Sequence, residues 1–174
     1  MSKQKIKKDH AILVEELKRA MIKGIKSNFL EIAKVLYEIK TKKTYISEGE
    51  NYSFSEYCLK TDAPIPGSTP QGRRIAANKL IKIYEVLCLG YKIPKNIIQS
   101  LGYNKCYEIA TSISGNIQIK QLKQLISKAE QVSNQDLRKI LKRGPGNNLV
   151  KKKVITIYYD QGGEVDRTEK EYKL

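Results

Sequence analysis

Residues 53–87 read SFSEYCLKTDAPIPGSTPQGRRIAANKLIKIYEVL, and their punctuation decides the fold: a short capped helix, a Pro/Gly loop and a second capped helix. Ser53 with Glu56 three residues on has the spacing of a capping box, in which each side chain satisfies a backbone N–H near the other. Tyr52 is placed to pack on Tyr57 as the hydrophobic staple of that start. The stretch 61–68, with Pro64, Pro66 and Gly67, cannot continue a helix, because proline lacks the N–H and crowds the preceding turn. Thr69-Pro70 then writes the second start. The threonine hydroxyl accepts from an orphan N–H of the first turn, and a proline there forfeits no hydrogen bond.

From Pro70 the pattern carries the second helix to Leu87. At about 100° per residue, Ala76, Leu80, Ile83, Tyr84 and Leu87 fall on one side, and Gln71, Arg74, Asn78 and Lys82 on the other. Arginine and lysine donate to the O6/N7 edge of guanine, and asparagine and glutamine pair bidentately with adenine. The polar face therefore holds the side chains that suit a major groove. A merely solvated charged face is the bland alternative.

Charge supports an anionic partner. The chain of 174 residues has a net charge of +15, and residues 63–153 alone hold 17 bases against 4 acids, a block that would repel itself unless phosphates or counterions neutralised it. Lysine outnumbers arginine 27 to 6, so arginine is the sharper signal; Arg73, Arg74, Arg138 and Arg143 fall on two short helical segments. An anionic membrane is the competing partner, but the bases do not share one long helix with a bulky apolar face. No stretch approaches the length of a membrane span, and the early lysines lead into a helix with Glu15 and Glu16, not a signal-peptide core. A cytoplasmic protein is expected.

Working outward, Leu13, Leu17, Ala20, Met21 and Ile25, then Phe29, Ile32, Ala33, Leu36 and Ile39, recur at helical spacing, as two helices or one bent one. Asn28 with Glu31 has capping-box spacing, and Gly24 and the Ser27-Asn28 pair mark the weak point. Helical pieces follow over 94–101, closed by Gly102, over 104–111, over 117–131 and over 133–143, the last opened by Ser133 with Asp136 and stopped by Gly144-Pro145-Gly146. Its outer face carries Arg138, Lys139, Lys142 and Arg143, which suit phosphates better than bases because no amide stands among them. From Val150 the period becomes extended: 154–159 are strand formers, Gly162-Gly163 a turn, and 164–172 a returning strand. A lone hairpin is marginal in water, so it lies on the helical body, pairs with another chain to make a dimer, or stays partly disordered. Lys151, Lys152 and Lys153 at its entrance suit a further phosphate clamp, with a merely solvated charge run as the bland alternative.

The expected architecture is mainly α, a multi-helical bundle containing a helix-turn-helix-like unit, with a C-terminal β-hairpin. Residues 1–27 form an N-terminal basic helix, 28–144 the helical domain, and 145–174 a linker and hairpin appendage. Chemistry is sparse: no phosphate-binding glycine loop and no paired metal ligands occur. His10 stands alone, and Cys58, Cys88 and Cys106 are odd in number and widely spaced, so the expectation is reduced, mostly buried thiols and no metal or cofactor. Eleven tyrosines raise strand cleavage by tyrosine, but one histidine near the N-terminus leaves such a nucleophile without its usual cluster. The reading is of a binder, not an enzyme, with no small-molecule substrate evident.

Phe29-Leu30-Glu31-Ile32-Ala33, Leu36-Tyr37-Glu38-Ile39, Tyr45 and Tyr52-Ser53-Phe54-Ser55-Glu56-Tyr57-Cys58 together resemble a helix-turn-helix DNA-binding-like domain recurrent in phage and plasmid proteins. The resemblance covers about residues 28–110. It implies that the helix after Thr69 is the recognition helix, with Gln71, Arg73, Arg74, Asn78, Lys79 and Lys82 facing groove or phosphates. It also implies mobile-element maintenance or transcriptional control on double-stranded DNA. The chain departs from that family in carrying Asp62-Ala63-Pro64-Ile65-Pro66-Gly67 where a compact turn is usual. Coating of DNA or RNA through phosphates alone is the second function class, and an adaptor for an acidic protein the third.

Overall fold

Gly24 splits the first amphipathic run. It adopts φ +88°, a backbone region that costs glycine little, between α1 (Lys3–Ile22) and α2 (Ile25–Thr41). Asn28 does not cap: its own φ of −132° interrupts the helix, and its Nδ2 donates to the Ala20 carbonyl across 3.1 Å, tying α2 back to α1. The computed structural model describes residues 3–47, 52–113, 117–143, 151–160 and 163–173, with side-chain surroundings over the parts of these within 4–141.

A 3₁₀ turn (Thr44–Ser47) leads to α3 (Phe54–Lys60) and α4 (Pro70–Ile83), whose chain continues in wider π-type turns over Tyr84–Gly90. After these come α5 (Lys95–Ser112), broken at Gly102, then α6 (Ile119–Gln131) and α7 (Asn134–Arg143). The break in α5 falls where two pieces were expected. Helix α2 is the hub, packing on α1, α4 and α5, while α3 packs on α4, and α6 and α7 pack on α5.

The core follows from those packings. Phe29, Ile32, Ala33, Leu36 and Ile39 of α2 are fully buried, and Leu17 of α1, Leu80, Ile81 and Ile83 of α4, Ile98 and Ile109 of α5, Leu122 of α6 and Leu137 of α7 join the same apolar cluster. At about 1.5–3 kcal/mol per large apolar side chain buried, this cluster is the main favourable term. Beside it lies an aromatic knot. Tyr45, Phe54 and Tyr57 stand 5.8–6.1 Å apart between ring centroids, and the His10 ring meets Tyr57 edge-on at 5.4 Å. His10 is buried, its Nδ1 lies 3.2 Å from Thr44 Oγ1, and α1 is thereby fixed against the 3₁₀ turn.

The expectation of a bundle carrying a C-terminal β-hairpin is corrected to a helical fold. The described residues of the helical body, 3–143, form helices and connections and contain no strand. The chain over Lys151–Asp160 and Gly163–Lys173 is extended and antiparallel only to itself, and none of the packings between helices involves it. The physical reason is that strand formers at 154–159 impose a local backbone preference only. A sheet becomes part of a fold when a second layer buries one of its faces, and the core among the described residues is built from the helices and their connections. The expected stop at 144–146 and turn at 162–163 lie wholly or partly outside the described residues.

The three thiols are free, Cys58 and Cys106 buried and Cys88 half-buried. Burial pushes the Cys58 thiol to about 11 and the Cys106 thiol to about 12, from the usual 9.0. Cys106 also donates to the Ile98 carbonyl at 3.2 Å. Because the folded values are raised, the stability these protonated thiols contribute is present below pH 9 and is lost as pH rises toward 11–12. Alkylation at pH 8 is expected to modify Cys88 first, with Cys58 and Cys106 reacting only on unfolding; mass spectrometry of timed samples checks this.

Candidate nucleic-acid interface

The α3–α4 unit is built as its punctuation predicts. The Ser53 hydroxyl accepts from the Glu56 N–H at 3.2 Å, and the Ser53 N–H donates to the Glu56 carboxylate at 2.8 Å, completing the capping box. That backbone donor, with the Ser53 hydroxyl, holds Glu56 below the usual carboxylate value of 4.5, so this cap weakens as pH falls through the lowered value. At α4, Thr69 Oγ1 accepts from the Gly72 N–H at 3.0 Å and Pro70 opens the first turn.

The loop between them is longer than a tight helix-turn-helix connection, and two contacts hold it. Gly67 sits at φ +131°, and a Cβ there would fall 2.6 Å from the carbonyl carbon of Gly72 and collide with the Arg73 backbone. Only a residue without a side chain lets the loop lie this close to α4. Arg73 supplies the second contact. Its Nη1 donates to the Thr61 carbonyl at 2.5 Å and its Nη2 to the Leu59 carbonyl at 3.1 Å, so one guanidinium closes the C-terminal end of α3 onto α4. The C-terminal carbonyls of a helix are its negative end, where a cation is favoured.

Along α4, Gln71 and Asn78 are exposed, and Arg74 and Lys82 are half-exposed. No ion pair or side-chain hydrogen bond among the described residues engages any of these four. The inward side differs in phase from the sequence pattern. Ala77, Leu80, Ile81, Ile83 and Leu87 are buried, whereas Ala76 and Tyr84 are half-buried. Helix α4 packs against α2, α3 and α5 at once, and the π-type turns after Ile83 rotate the following side chains relative to an ideal α-helix.

Two of the expected contact residues have internal roles. Arg73 is the clasp just described, and Lys79 lies over the Tyr107 ring, Nζ 4.9 Å from its centroid, as a cation–π contact to α5. Thr69 remains exposed although its oxygen caps α4. On α7, Arg138 pairs with Glu108 of α5 at 2.7 Å and Lys139 with Asp136 at 3.0 Å. The Lys139–Asp136 pair is exposed, the kind worth little in water, whereas the Glu108 carboxylate that Arg138 meets is half-buried. The side chains of Lys142, Arg143, Lys151, Lys152 and Lys153 lie outside the described residues.

Two surface features were not singled out from sequence. Helix α6 exposes Lys120, Lys123 and Lys128 with Gln121, Gln124 and Ser127, and none of those lysines has an acidic partner among the described residues. The signal was present in the spacing of Leu122, Ile126 and Ala129, which sets these residues outward. The second is Ile75, 45% exposed amid the polar edge of α4. No described helix is long and apolar enough to cross a membrane. Comparisons with protein-family models, curated proteins and solved structures find no match to the chain.

Proposed function

We propose that this chain is a sequence-specific double-stranded-DNA-binding protein of a phage, virus or plasmid type, a transcriptional regulator or a replication or partition factor, and that α4 enters the major groove. The observation that carries the reading is the outward edge of α4. Two amides, an arginine and a lysine lie along one side of a capped helix, exposed or half-exposed and without hydrogen-bond or ion-pair partners among the described residues. Those side chains carry the donor and acceptor pattern that distinguishes base pairs in the major groove. The packing of α3 on α4 and the motif running from Phe29 to Cys58 support the same reading. One short recognition helix reads few base pairs, so two copies on an inverted repeat are part of the proposal. Action in the cytoplasm belongs to it as well.

A second reading is coating of DNA or RNA through phosphates alone, and the lysines of α6, which have no acidic partner among the described residues, favour it. The two differ in competition. Base reading gives a specific over non-specific ratio of about 10³ or more, whereas phosphate binding gives a steep salt slope and little sequence preference. Replacing Lys151, Lys152 and Lys153 together with glutamine is expected to weaken cognate and random duplexes alike and to lower the slope of log K against log salt by about 3. Fluorescence-anisotropy titrations at several salt concentrations measure both quantities.

A further inference from the structure

The outward edge of α4 contains one residue that a solvated polar face has no use for. Ile75 is 45% exposed, and no turn or helix end requires it there. With about 100° between successive residues, Ile75 lies within the arc that runs from Arg74 through Asn78, Gln71 and Lys82 to Lys79. Along the axis, at about 1.5 Å per residue, it sits between Gln71 and Asn78. Those two amides are about 10 Å apart on that scale, roughly three base-pair steps of about 3.4 Å. Isoleucine is therefore the apolar centre of a polar triplet, and water gains nothing from it.

We infer that Ile75 is a specificity-determining residue that recognises the C5-methyl group of a thymine, at one of the two base-pair positions between those that Gln71 and Asn78 read. The inference rests on the DNA-reading role proposed for α4. Thymine's methyl is the one apolar group on the floor of the major groove, and an apolar side chain is what recognises it. Cytosine and uracil offer no methyl at that place. Ile75 thus supplies a discrimination that the amides and Arg74 cannot, because their contacts are made to hydrogen-bonding edges.

The test uses the full chain on the duplex recovered from a random pool, with each thymine replaced in turn by deoxyuridine, which removes only the methyl. At one of the two positions between those whose preference Gln71→Ala and Asn78→Ala relax, deoxyuridine is expected to weaken the wild-type protein about 3- to 5-fold, the weight of one buried methyl-sized group. Ile75→Ala is expected to weaken binding to the thymine duplex by at least as much and to lose all sensitivity to deoxyuridine at that position. The substitution is at an exposed site and introduces the best helix former, so α4 is preserved. A recovered site with no thymine there, a wild-type protein indifferent to deoxyuridine, or an Ile75→Ala protein that remains as sensitive as wild type would each overturn the inference while leaving the reading role intact. A pool that yields no preferred sequence would overturn both.

Discussion

Arg73→Ala is expected to lower the unfolding free energy by about 2–4 kcal/mol, because two charge-assisted hydrogen bonds disappear and the carbonyls at the end of α3 lose their cation. Arg73→Lys should recover only part of that loss, since an ammonium lacks the planar fork that spans two carbonyls. Gly67→Ala strikes the same joint from the other side. Its φ of +131° and the collision with the Gly72 and Arg73 backbone add about 1–3 kcal/mol or more of strain. Equilibrium unfolding in urea measures all three variants. An Arg73→Ala protein as stable as wild type would show that the clasp is not what holds α3 on α4. DNA binding by Arg73→Ala should weaken without relaxing the preference at any single position, because the variant loosens the placement of α4 and removes no base contact.

Asn78→Ala and Arg74→Ala should behave in the opposite manner. Each is expected to cost about 1–3 kcal/mol on a cognate duplex, to relax preference at one position, and to leave thermal stability within about 0.5 kcal/mol of wild type. The structural ground is that neither side chain has an internal hydrogen-bond or ion-pair partner among the described residues. Equal losses on cognate and random duplex would remove the reader assignment and leave the phosphate-coating reading. Comparison of these two with Arg73→Ala separates a residue that builds the unit from residues that contact its target, although all three lie within two turns of one helix.

Local chemistry was legible in the sequence, and contacts between distant segments were not. The capping box at Ser53 and Glu56, the Thr69-Pro70 start and the break at Gly102 all depend on residues within a turn of one another, and each appears where its pattern lies. The role of Arg73 depends on where a nine-residue connection leaves the carbonyls of Leu59 and Thr61, which no periodicity encodes. Lys79 belongs on the polar arc by spacing, but Tyr107 arrives over it from α5. Asn28 has the spacing of a cap and instead reaches back to Ala20, because Gly24 has already turned the chain. Strand propensity at 154–159 is a preference of the local backbone, and a local preference does not by itself build a sheet into a fold. Ile75 is invisible to an amphipathic reading, which sorts apolar residues inward; only the packing of α2, α3 and α5 around α4 shows which one is left outside.

Selection from a random duplex pool at physiological salt tests the central claim most directly. An enriched motif, recovered as an inverted repeat by the wild-type chain and degraded at one position by Asn78→Ala, is the predicted result. A protein that retains the whole pool without preference, or a motif that survives Gln71→Ala, Arg74→Ala and Asn78→Ala unchanged, would contradict it.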